Sequence, residues 1–538
     1  MKEEFKSIKE RLLSSPTGEQ WRNIKVCNHH GIALPLFSLH SKSSCGIGEY
    51  PDLIPIIDWC HDVGFDVIQL LPLNDTGLES SPYSALSANA LNPIHIGLSH
   101  LPLLEKHPDL QAILQELQSL ANQTQRINYK VLHLKREEFL RRYYTLCAPL
   151  TVVLDKYQTF KKNQSGWLHD YAIFKALKIL QQWKNWEDWP PELQKSSLSF
   201  FEQLPQELEA EAEYHRLLQF LCFEQFQEVK LHAEKLGVYL KGDIPILINR
   251  ESVDVWRYPE QFEMALTAGA PPDIYSNEGQ KWGFPLYKWD VVAAGNYRWW
   301  IQRLEIASHF YHLYRIDHIV GFFRIWAIPL DLPPRLGHFI PVDEKKWVPQ
   351  GEEIMRIMLA HCTMLPIGED LGVVPPEVRE CLRTLGICGT KVMRWERYWH
   401  GDQSFIDPKD YPPESMTTVS THDSETLQLW WRDQTEEAKT YAESQGWEYS
   451  PELTADQRFT ILRASHQSGS FFHINLLQEY LALVPEMTWP NPEDERINIP
   501  GTISDKNWSY RFLPSVEEIA NNSELRICLK QTIQKMIR

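Results

Sequence analysis

The sequence predicts an α/β protein folded as a (β/α)8 TIM barrel with helical and loop insertions. Three observations support this prediction: short apolar runs alternate with helical patterns, eight such runs follow one another along the chain, and acidic residues recur where the runs end. Alternating strands and helices imply parallel strands joined by helical crossovers. Because barrel active sites are built at the carboxyl ends of the strands, these acidic residues are the candidate site residues.

The composition limits which classes of protein this chain can belong to. The 538 residues are ample for a large core, and 43% hydrophobic with 23% charged residues is typical of a water-soluble globular protein. The net charge of −17 argues against a nucleic-acid partner, whose phosphates need a basic face. A membrane span is not predicted, because no run of about 18 apolar residues is present.

The cysteines and the N-terminus indicate the compartment. Nine cysteines without a CxxC pair indicate reduced thiols, which predicts a cytoplasmic location. The first residues, MKEEFKSIKERLL, are charged and amphipathic, unlike a signal peptide. We expect residues 1–30 to form a lead-in helix and residues 31–538 to form the barrel.

The first two predicted strands frame a helix. GIALPLF, which starts at Gly31, and DVIQLLPL, which ends near Leu71, are compact apolar runs. Between them, PDLIPIIDWCHDVG has helical spacing, with a proline near its start and Gly64 near its end. The long loop after the second strand contains SPYS, in which Tyr83 is a candidate binding residue and a simple turn is the alternative.

The next part of the chain is helical in pattern. Apolar residues three and four apart predict a mainly helical insertion at about 98–220, within the barrel and not a separate domain. A further helix is predicted from Phe223 to Gly237. VYLKGDIPI then gives the third strand, and Asp243 lies at its end as a candidate binding residue, with a turn or capping role as the alternative.

A loop at about 269–290 follows, rich in Gly, Pro, Asn and Asp. Loops of this length in a compact domain are usually lids or binding loops. Tyr275 and Trp282 are its candidate binding aromatics. The alternative is that the Trp282 ring packs the loop onto the barrel.

The fourth strand is predicted in YHLYRIDHIVGFFRIWAIP, which starts at Tyr311, and Asp317 follows its last residue. Residues two apart in a strand point to the same side, so the Arg315 guanidinium is expected beside the Asp317 carboxylate. A cation at that distance would keep the carboxylate ionised. A structural ion pair at a strand end is the alternative.

Four more strands complete the predicted barrel. LPIGEDLG gives the fifth, with Glu369 and Asp370 at its end, and GTKVMRWE gives the sixth. TTVSTHDSETLQLWW gives the seventh, ending at His422 and Asp423. INIPGTISDKNWSYR, which starts at Ile497, is predicted to form the eighth strand and the loop after it.

Several of these segments resemble the 4-α-glucanotransferases, the amylomaltase or disproportionating-enzyme family (glycoside hydrolase family 77). They are RIDHIVGFFRIW, SPYS, KGDIPI, THD and the loop at about 269–290. GFFRIW is most similar to the branch of the plant cytosolic disproportionating enzyme, whose N-terminal carbohydrate-binding module we do not expect here. After THD this chain reads SET where many members read ND and T, which leaves the sugar contacts beside Asp423 open.

The resemblance implies a retaining mechanism, which needs one ionised and one protonated carboxyl group. Asp317 would be the nucleophile, Glu369 the acid, and Asp423 the carboxylate that binds ring hydroxyls. Burial and like charge would raise the pKa of Glu369. The remaining candidates would bind substrate: Tyr83, Asp243, Tyr275, Trp282, Arg315 and His422.

The sequence therefore predicts a 4-α-glucanotransferase of maltooligosaccharide, glycogen or starch metabolism. Its expected partners are α-1,4-glucans, maltooligosaccharides and glucose, and we expect no cofactor and no metal. One alternative is an α-amylase-type hydrolase, which has the same carboxylates but uses water as acceptor. Another is a non-catalytic glucan-binding barrel, which would be expected to lack one carboxylate. The sequence indicates no oligomeric state.

Overall fold

Eight parallel strands form the centre of the structure, a computed structural model that describes residues 2–121, 124–151, 154–194, 205–272, 277–399 and 401–533. The strands are β1 (His29–Leu34), β2 (Val67–Leu70), β3 (Tyr239–Ile244), β4 (Leu313–Ile316), β5 (Leu365–Gly368), β6 (Gly389–Val392), β7 (Ser415–Thr418) and β8 (Phe472–Leu476).

The eight strands follow chain order around a barrel. Their order in the sheet is β5, β4, β3, β2, β1, β8, β7, β6, and each neighbouring pair is parallel. The two outer strands meet where the Gly368 N–H donates to the Cys388 carbonyl at 2.7 Å and the Thr390 hydroxyl donates to the Gly368 carbonyl at 2.9 Å. The (β/α)8 prediction is therefore confirmed.

Close strand packing explains one glycine of the barrel. A Cβ atom on Gly31 in β1 would lie 2.1 Å from the Val67 carbonyl oxygen of β2. The two strands pair in register at these residues, so a side chain here would push them apart. Every residue of both strands is buried, as expected for parallel strands that helices cover.

Helices surround the barrel, and among those described none is both long enough and apolar enough to cross a membrane. The described α-helices are Lys2–Ser14, Gly18–Ile24, Leu53–Val63, Pro108–Ala121, Tyr129–Thr151, Asp155–Asn163, Ser165–Leu180, Gln206–Leu236, Val253–Arg257, Trp289–Ala294, Arg298–Ser308, Trp347–Ala360, Pro376–Leu385, Leu427–Asp433, Thr435–Ser444, Ala455–His466, Leu477–Leu481, Val516–Asn521 and Ser523–Ile533.

The segment between β2 and β3 contains several of these helices. Ser165–Leu180 packs along Gln206–Leu236, which runs past position 220 and continues to β3. Gly237 ends this helix in the left-handed conformation, with φ of +69°. The helix predicted from Phe223 is therefore the second half of a longer one, while the division of the chain into lead-in, barrel and insertion stays a prediction.

The predicted position of the eighth strand is wrong. The strand that completes the barrel is Phe472–Leu476, whose first residue pairs with His29 of β1 and Met416 of β7. Its sequence, FHINL, places a histidine and an asparagine in a fully buried strand and so breaks the apolar pattern. Both side chains form local hydrogen bonds: His473 Nδ1 lies 2.9 Å from the Ser465 carbonyl, and the Asn475 amide donates to the Ser465 hydroxyl at 2.9 Å.

The seventh strand is shorter than predicted. It ends at Thr418, four residues before His422, because the chain then leaves the sheet. The Val419 N–H donates to the Asn475 side chain of β8 at 2.9 Å, and the Thr418 hydroxyl donates to the Ser420 carbonyl at 2.8 Å. His422 and Asp423 consequently lie on a loop above the strand.

A second sheet lies outside the barrel and corrects part of the predicted loop. Its four antiparallel strands are, in spatial order, His338–Ile340, Ile325–Pro329, Leu266–Ala270 and Gln280–Lys281. The segment at about 269–290 is therefore partly strand, and Leu286–Tyr287 within it forms a further pair with Phe262–Glu263. Sequence patterning missed Gln280–Lys281 and Leu286–Tyr287 because strands of two residues carry almost no periodic signal.

Candidate active site

Arg315, the third residue of β4, contacts three carboxylates at the carboxyl end of the barrel. Its Nη1 donates to both oxygens of Asp243 at 2.9 Å. Its Nη2 lies 2.7 Å from Asp317 Oδ1 and 3.8 Å from Glu369 Oε2. We call Asp243, Asp317, Glu369 and Asp423 the carboxylate cluster.

Strand register explains why these residues meet. Arg315 pairs with Asp243 across β3 and β4, and with Ile367 across β4 and β5. The Glu369 N–H donates to the Ile316 carbonyl at 2.9 Å, which sets Glu369 one step further along the same edge. The expected neighbourhood of Arg315 and Asp317 is present, and the bidentate contact with Asp243 is an additional feature that requires knowledge of the register.

Glu369 is partly enclosed beside Asp317. Burial raises the pKa of Glu369 and so does the negative charge of Asp317, whereas Arg315 and the His318 N–H lower it, and the balance raises the pKa to about 8. The His318 N–H donates to Glu369 Oε2 at 2.7 Å. At neutral pH this carboxyl group therefore holds its proton, as a general acid must.

A strained turn places Asp317 next to Glu369. His318 has φ of +46°, in the left-handed region, and its N–H points at Glu369. The Ile319 N–H also donates to the Glu369 carbonyl, at 3.2 Å. A left-handed residue other than glycine costs on the order of 1–3 kcal/mol, and such strain clusters at functional sites.

Tyr83 joins the two halves of the cluster. Its hydroxyl donates to Asp243 Oδ2 at 2.9 Å and lies 3.0 Å from His422 Nε2. The Tyr83 ring stacks on the His422 ring, with centroids 5.5 Å apart. Because protein groups already engage the Tyr83 hydroxyl, this residue has its ring and not its hydroxyl left for contact with a ligand.

Asp423 lies beyond His422. Desolvation raises the pKa of Asp423, but the charge of His422, its hydrogen bond, the Asn498 amide and Arg315 outweigh it and hold the pKa at about 2. His422 Nε2 lies 3.3 Å from Asp423 Oδ2, and Asn498 Nδ2 donates to Oδ1 at 2.7 Å. Asp423 is thus an ionised hydrogen-bond acceptor at neutral pH.

Two residues of the site were missed by sequence reasoning. Asn498 binds Asp423, and the Trp508 ring lies 5.6 Å from the Tyr83 ring and 6.0 Å from the His422 ring. Both belong to the segment that was predicted to contain the eighth strand. The many polar residues of that segment, together with Pro500 and Gly501, were the signal for a loop that could have identified it.

Asp370, the second acidic residue after β5, does not join the cluster. Its carboxylate accepts from the Thr390 N–H at 2.7 Å and from Arg379 Nη1 at 2.9 Å. It therefore fastens β5 to β6. Of the two adjacent acids, only Glu369 faces Asp317.

The predicted loop residues have different outcomes. The half-buried Trp282 ring meets the His318 ring edge-on, with centroids 5.0 Å apart, so it lies against the turn that follows Asp317. Its backbone N–H donates to the Ala268 carbonyl at 2.9 Å. Tyr275 lies outside the described residues.

The two candidate catalytic carboxylates are close together. Since Arg315 Nη2 is 2.7 Å from one oxygen and 3.8 Å from the other, those oxygens are separated by at most the sum of the two distances, 6.5 Å. Retaining glycosidases hold their carboxyl groups about 5–5.5 Å apart and inverting ones about 6.5–9.5 Å.

Among the described residues, no group of three or more His, Cys, Asp and Glu side chains could hold a metal ion.

Comparison with known proteins identifies the family. A family model described as 4-alpha-glucanotransferase, glycoside hydrolase family 77, matches residues 34–516. The chain belongs to this family. A 4-alpha-glucanotransferase of Chlamydia pneumoniae is 45% identical over 507 residues, which cover 94% of this chain and 95% of that protein.

Two further comparisons concern the branch and the fold. A rice (Oryza sativa) 4-alpha-glucanotransferase is 24% identical, over 94% of this chain and 69% of that protein. It is more distant than the chlamydial protein, so identity does not place the chain nearest the plant branch. An amylomaltase from Streptococcus agalactiae, solved in complex with acarbose, has the same fold, with a TM-score of 0.79 at 24% identity over 94% of this chain and 98% of that one.

The residues after THD, which differ from many family members, have a structural role. The Glu425 carboxylate lies 3.2 Å from Arg394 Nη2 and 3.3 Å from Arg496 Nη1. Arg496 Nη2 in turn donates to the Asp423 carbonyl at 3.2 Å and to the Asn498 carbonyl at 3.0 Å. Glu425 therefore holds the arginine that aligns Asp423 with Asn498.

We predict that Glu425→Gln lowers kcat of the family's transfer reaction about tenfold, because losing one charge-assisted hydrogen bond loosens Asp423. The control is Glu352→Gln, which removes the partner of Arg356 in an exposed pair at 2.7 Å that contributes little. Steady-state kinetics of both variants test this prediction. Equal kcat values in the two variants would show that Glu425 does not position Asp423.

Proposed function

We propose that this protein transfers a segment of an α-1,4-glucan to the 4-hydroxyl of glucose or of another α-1,4-glucan, by a retaining double displacement. The observation that carries the proposal is the placement of Asp317 and Glu369 at 2.7 and 3.8 Å from one guanidinium nitrogen of Arg315. Membership of the 4-alpha-glucanotransferase family supports the same reaction.

In the first step, an Asp317 oxygen attacks the anomeric carbon and the bond from that carbon to the glycosidic oxygen breaks. Glu369 gives its proton to the departing oxygen, consistent with its pKa of about 8. The products are a covalent glycosyl ester on Asp317 and a shortened glucan with a free 4-hydroxyl. Asp423, ionised with a pKa of about 2, accepts hydrogen bonds from hydroxyls of the reacting sugar.

In the second step, Glu369 is a carboxylate and removes the proton from the 4-hydroxyl of an acceptor sugar. The acceptor oxygen attacks the anomeric carbon, and the ester bond to Asp317 breaks. Two inversions at one carbon give net retention of the α configuration. Arg315 stays bonded to Asp243 throughout and remains available to the released Asp317 carboxylate.

The alternatives are less well supported. The hydrolase alternative is not favoured, since the family and the relatives described above are 4-alpha-glucanotransferases. A non-catalytic barrel would be expected to lack a carboxylate, and Asp317, Glu369 and Asp423 are all present.

We also infer a cytoplasmic location. The support is that no disulfide joins any of the nine cysteines, all of which lie among the described residues. The absence of cofactor, metal and nucleic-acid partner stays a prediction.

Removing either reacting carboxyl group should abolish transfer. Asp317→Asn and Glu369→Gln are near-isosteric, so we expect kcat to fall by at least about a thousandfold, or about 4 kcal/mol of barrier, while the unfolding temperature changes little. The matched control is Asp370→Asn, which removes a carboxylate one residue from Glu369 and should affect the unfolding temperature more than kcat. Activity within about tenfold of wild type in either variant would refute the assignment.

The raised pKa of Glu369 predicts an alkaline limit of activity. The acid must hold its proton when substrate binds, so kcat/KM should be full below pH 8 and should fall as the pH rises through about 8. A profile of kcat/KM against pH, with maltotriose as donor, measures this limit. A fall already centred near pH 5 would mean that Glu369 is not the acid.

The proposed role of the loop is to bind the acceptor. Transfer exceeds hydrolysis only if a bound, oriented sugar outcompetes water, and Trp282 over the His318 turn offers an apolar face for such a sugar. We predict that Trp282→Ala increases hydrolysis relative to transfer when maltotriose is the substrate. Hydrolysis is measured as the reducing ends released, and transfer as the redistribution of chain lengths. Trp399→Ala, an exposed tryptophan elsewhere, is the control. An unchanged ratio in Trp282→Ala would assign acceptor selection to other residues; the same role for Tyr275 stays a prediction from sequence.

A further inference from the structure

The loop that contains Asn498 lies beside Asp423, and we call residues 489–511 the Asn498 loop. Asn498 Nδ2 donates to Asp423 Oδ1 at 2.7 Å, so the position of the loop determines the position of a hydrogen-bond donor in the site. Regular secondary structure contributes little to the loop, which contains one short 3₁₀ turn, Pro492–Glu495. Side-chain contacts must therefore hold it in place.

Glu495 joins the two ends of the Asn498 loop. The residue is only 5% exposed. Its Oε1 accepts from the Trp489 N–H at 2.6 Å, six positions earlier in the chain. Its Oε2 accepts from the Tyr510 hydroxyl at 2.6 Å, fifteen positions later. One buried carboxyl group thus connects the beginning of the loop with its end.

The groups around this carboxyl group are attached to the barrel. The Ser38 hydroxyl, in the segment just after β1, donates to the Tyr510 carbonyl at 2.7 Å. Gln478 Nε2, in the helix that follows β8, donates to the Glu495 carbonyl at 3.0 Å. The contacts of Glu495 therefore give the Asn498 loop a defined position relative to the strands.

Trp508 shows that the loop is held in a strained conformation. Its φ of +61° lies in the left-handed region, which is unfavourable for residues other than glycine. The Tyr129 hydroxyl donates to its carbonyl at 2.8 Å, and its ring lies 5.6 Å from the Tyr83 ring. Because strained backbone persists only where the surrounding contacts fix it, the hydrogen bond from Tyr510 to Glu495, two residues further on, helps to maintain this conformation.

A short and well-connected stretch of chain leads from Glu495 to Asn498. Asn498 lies three residues after Glu495, and no glycine lies between them. Arg496 Nη2 donates to the Asn498 carbonyl at 3.0 Å and to the Asp423 carbonyl at 3.2 Å. The Trp508 N–H donates to the carbonyl of the residue between Arg496 and Asn498 at 2.8 Å. A displacement of Glu495 would therefore also displace Asn498.

Burying a carboxyl group is unfavourable, which argues against a residue that only fills space. Burial raises the pKa of Glu495 to about 7, although the Tyr510 hydroxyl and the Trp489 N–H lower it. An apolar side chain would fill the same space without this cost. The carboxyl group supplies what an apolar side chain lacks, two acceptor oxygens that hold two distant donors at one point.

We propose that Glu495 is a positioning residue for the transfer reaction, which holds Asn498 against Asp423 through its hydrogen bonds to Trp489 and Tyr510. This role rests on the proposed function, in which Asp423 accepts hydrogen bonds from the reacting sugar. A displaced Asn498 leaves Asp423 less well oriented in the transition state. The loss therefore affects kcat and not KM.

Tyr510→Phe tests the proposal, because it removes one donor to Glu495 and keeps the buried ring. The matched control is Tyr157→Phe: the buried Tyr157 donates its hydroxyl to Glu213 Oε1, also at 2.6 Å, between two helices outside the barrel. We expect Tyr510→Phe to lower kcat for transfer from maltotriose about fivefold with KM unchanged. Tyr157→Phe should leave both constants unchanged while it lowers the unfolding temperature by a similar amount.

A double variant with Asn498→Ala tests the route by which Glu495 acts. If the route is Asn498, Tyr510→Phe should lower kcat by less than about twofold when Asn498→Ala is already present, because coupled changes are not additive. The same fractional loss of kcat with and without Asn498→Ala would overturn the proposal.

Glu495→Gln keeps the test valid if Tyr510→Phe does not fold, because it preserves the shape of the side chain and replaces one acceptor oxygen by a donor. We expect the same loss of kcat. Equal kcat values in Tyr510→Phe and Tyr157→Phe, or an unchanged kcat in Glu495→Gln, would overturn the positioning role and leave the proposed function intact. Absence of transfer by the wild-type protein would instead overturn the proposed function together with it.

Discussion

The buried guanidinium of Arg315 is the interaction on which the carboxylate cluster depends. A cation removed from water is stable only when it is paired, and Asp243 provides that pairing with two hydrogen bonds of 2.9 Å to one nitrogen. The other nitrogen contacts Asp317 at 2.7 Å. Without this cation, carboxylates so close together would repel each other. The strand register of β3, β4 and β5 therefore determines chemistry as well as fold.

The two reacting carboxyl groups, Asp317 and Glu369, lie at unequal distances from Arg315. Asp317 receives a direct charge-assisted contact, whereas Glu369 is 3.8 Å away and accepts from the uncharged backbone N–H of His318 instead. Burial and the negative charge of Asp317 raise the pKa of Glu369 to about 8, while His422 and Asn498 hold that of Asp423 at about 2. Environments that separate carboxyl groups in this way are typical of general acid catalysis. The left-handed turn at His318 supplies the N–H that Glu369 accepts.

Much of this arrangement could be predicted from the sequence, and the remainder depends on contacts between distant segments. The two-residue period of a strand gave the proximity of Arg315 and Asp317. It could not give the Arg315–Asp243 contact, which joins residues 72 positions apart through register. The eighth strand was not recognised because Asn475 is a polar residue in the sequence, and its hydrogen-bond partner is known only from the fold. Asn498 was missed because its segment had been predicted to contain that strand.

The second sheet explains how an aromatic wall can be held firmly over a reacting centre. Ile325–Pro329 follows the His318 turn closely and pairs with Leu266–Ala270, whose other neighbour is Gln280–Lys281. Trp282 comes directly after that strand, so its ring is fixed by a ladder that starts from the segment carrying Asp317. Acceptor capture needs a surface that is already in place when the covalent intermediate forms, because water is always present. A ring mounted on paired strands meets this need better than one on an unpaired loop.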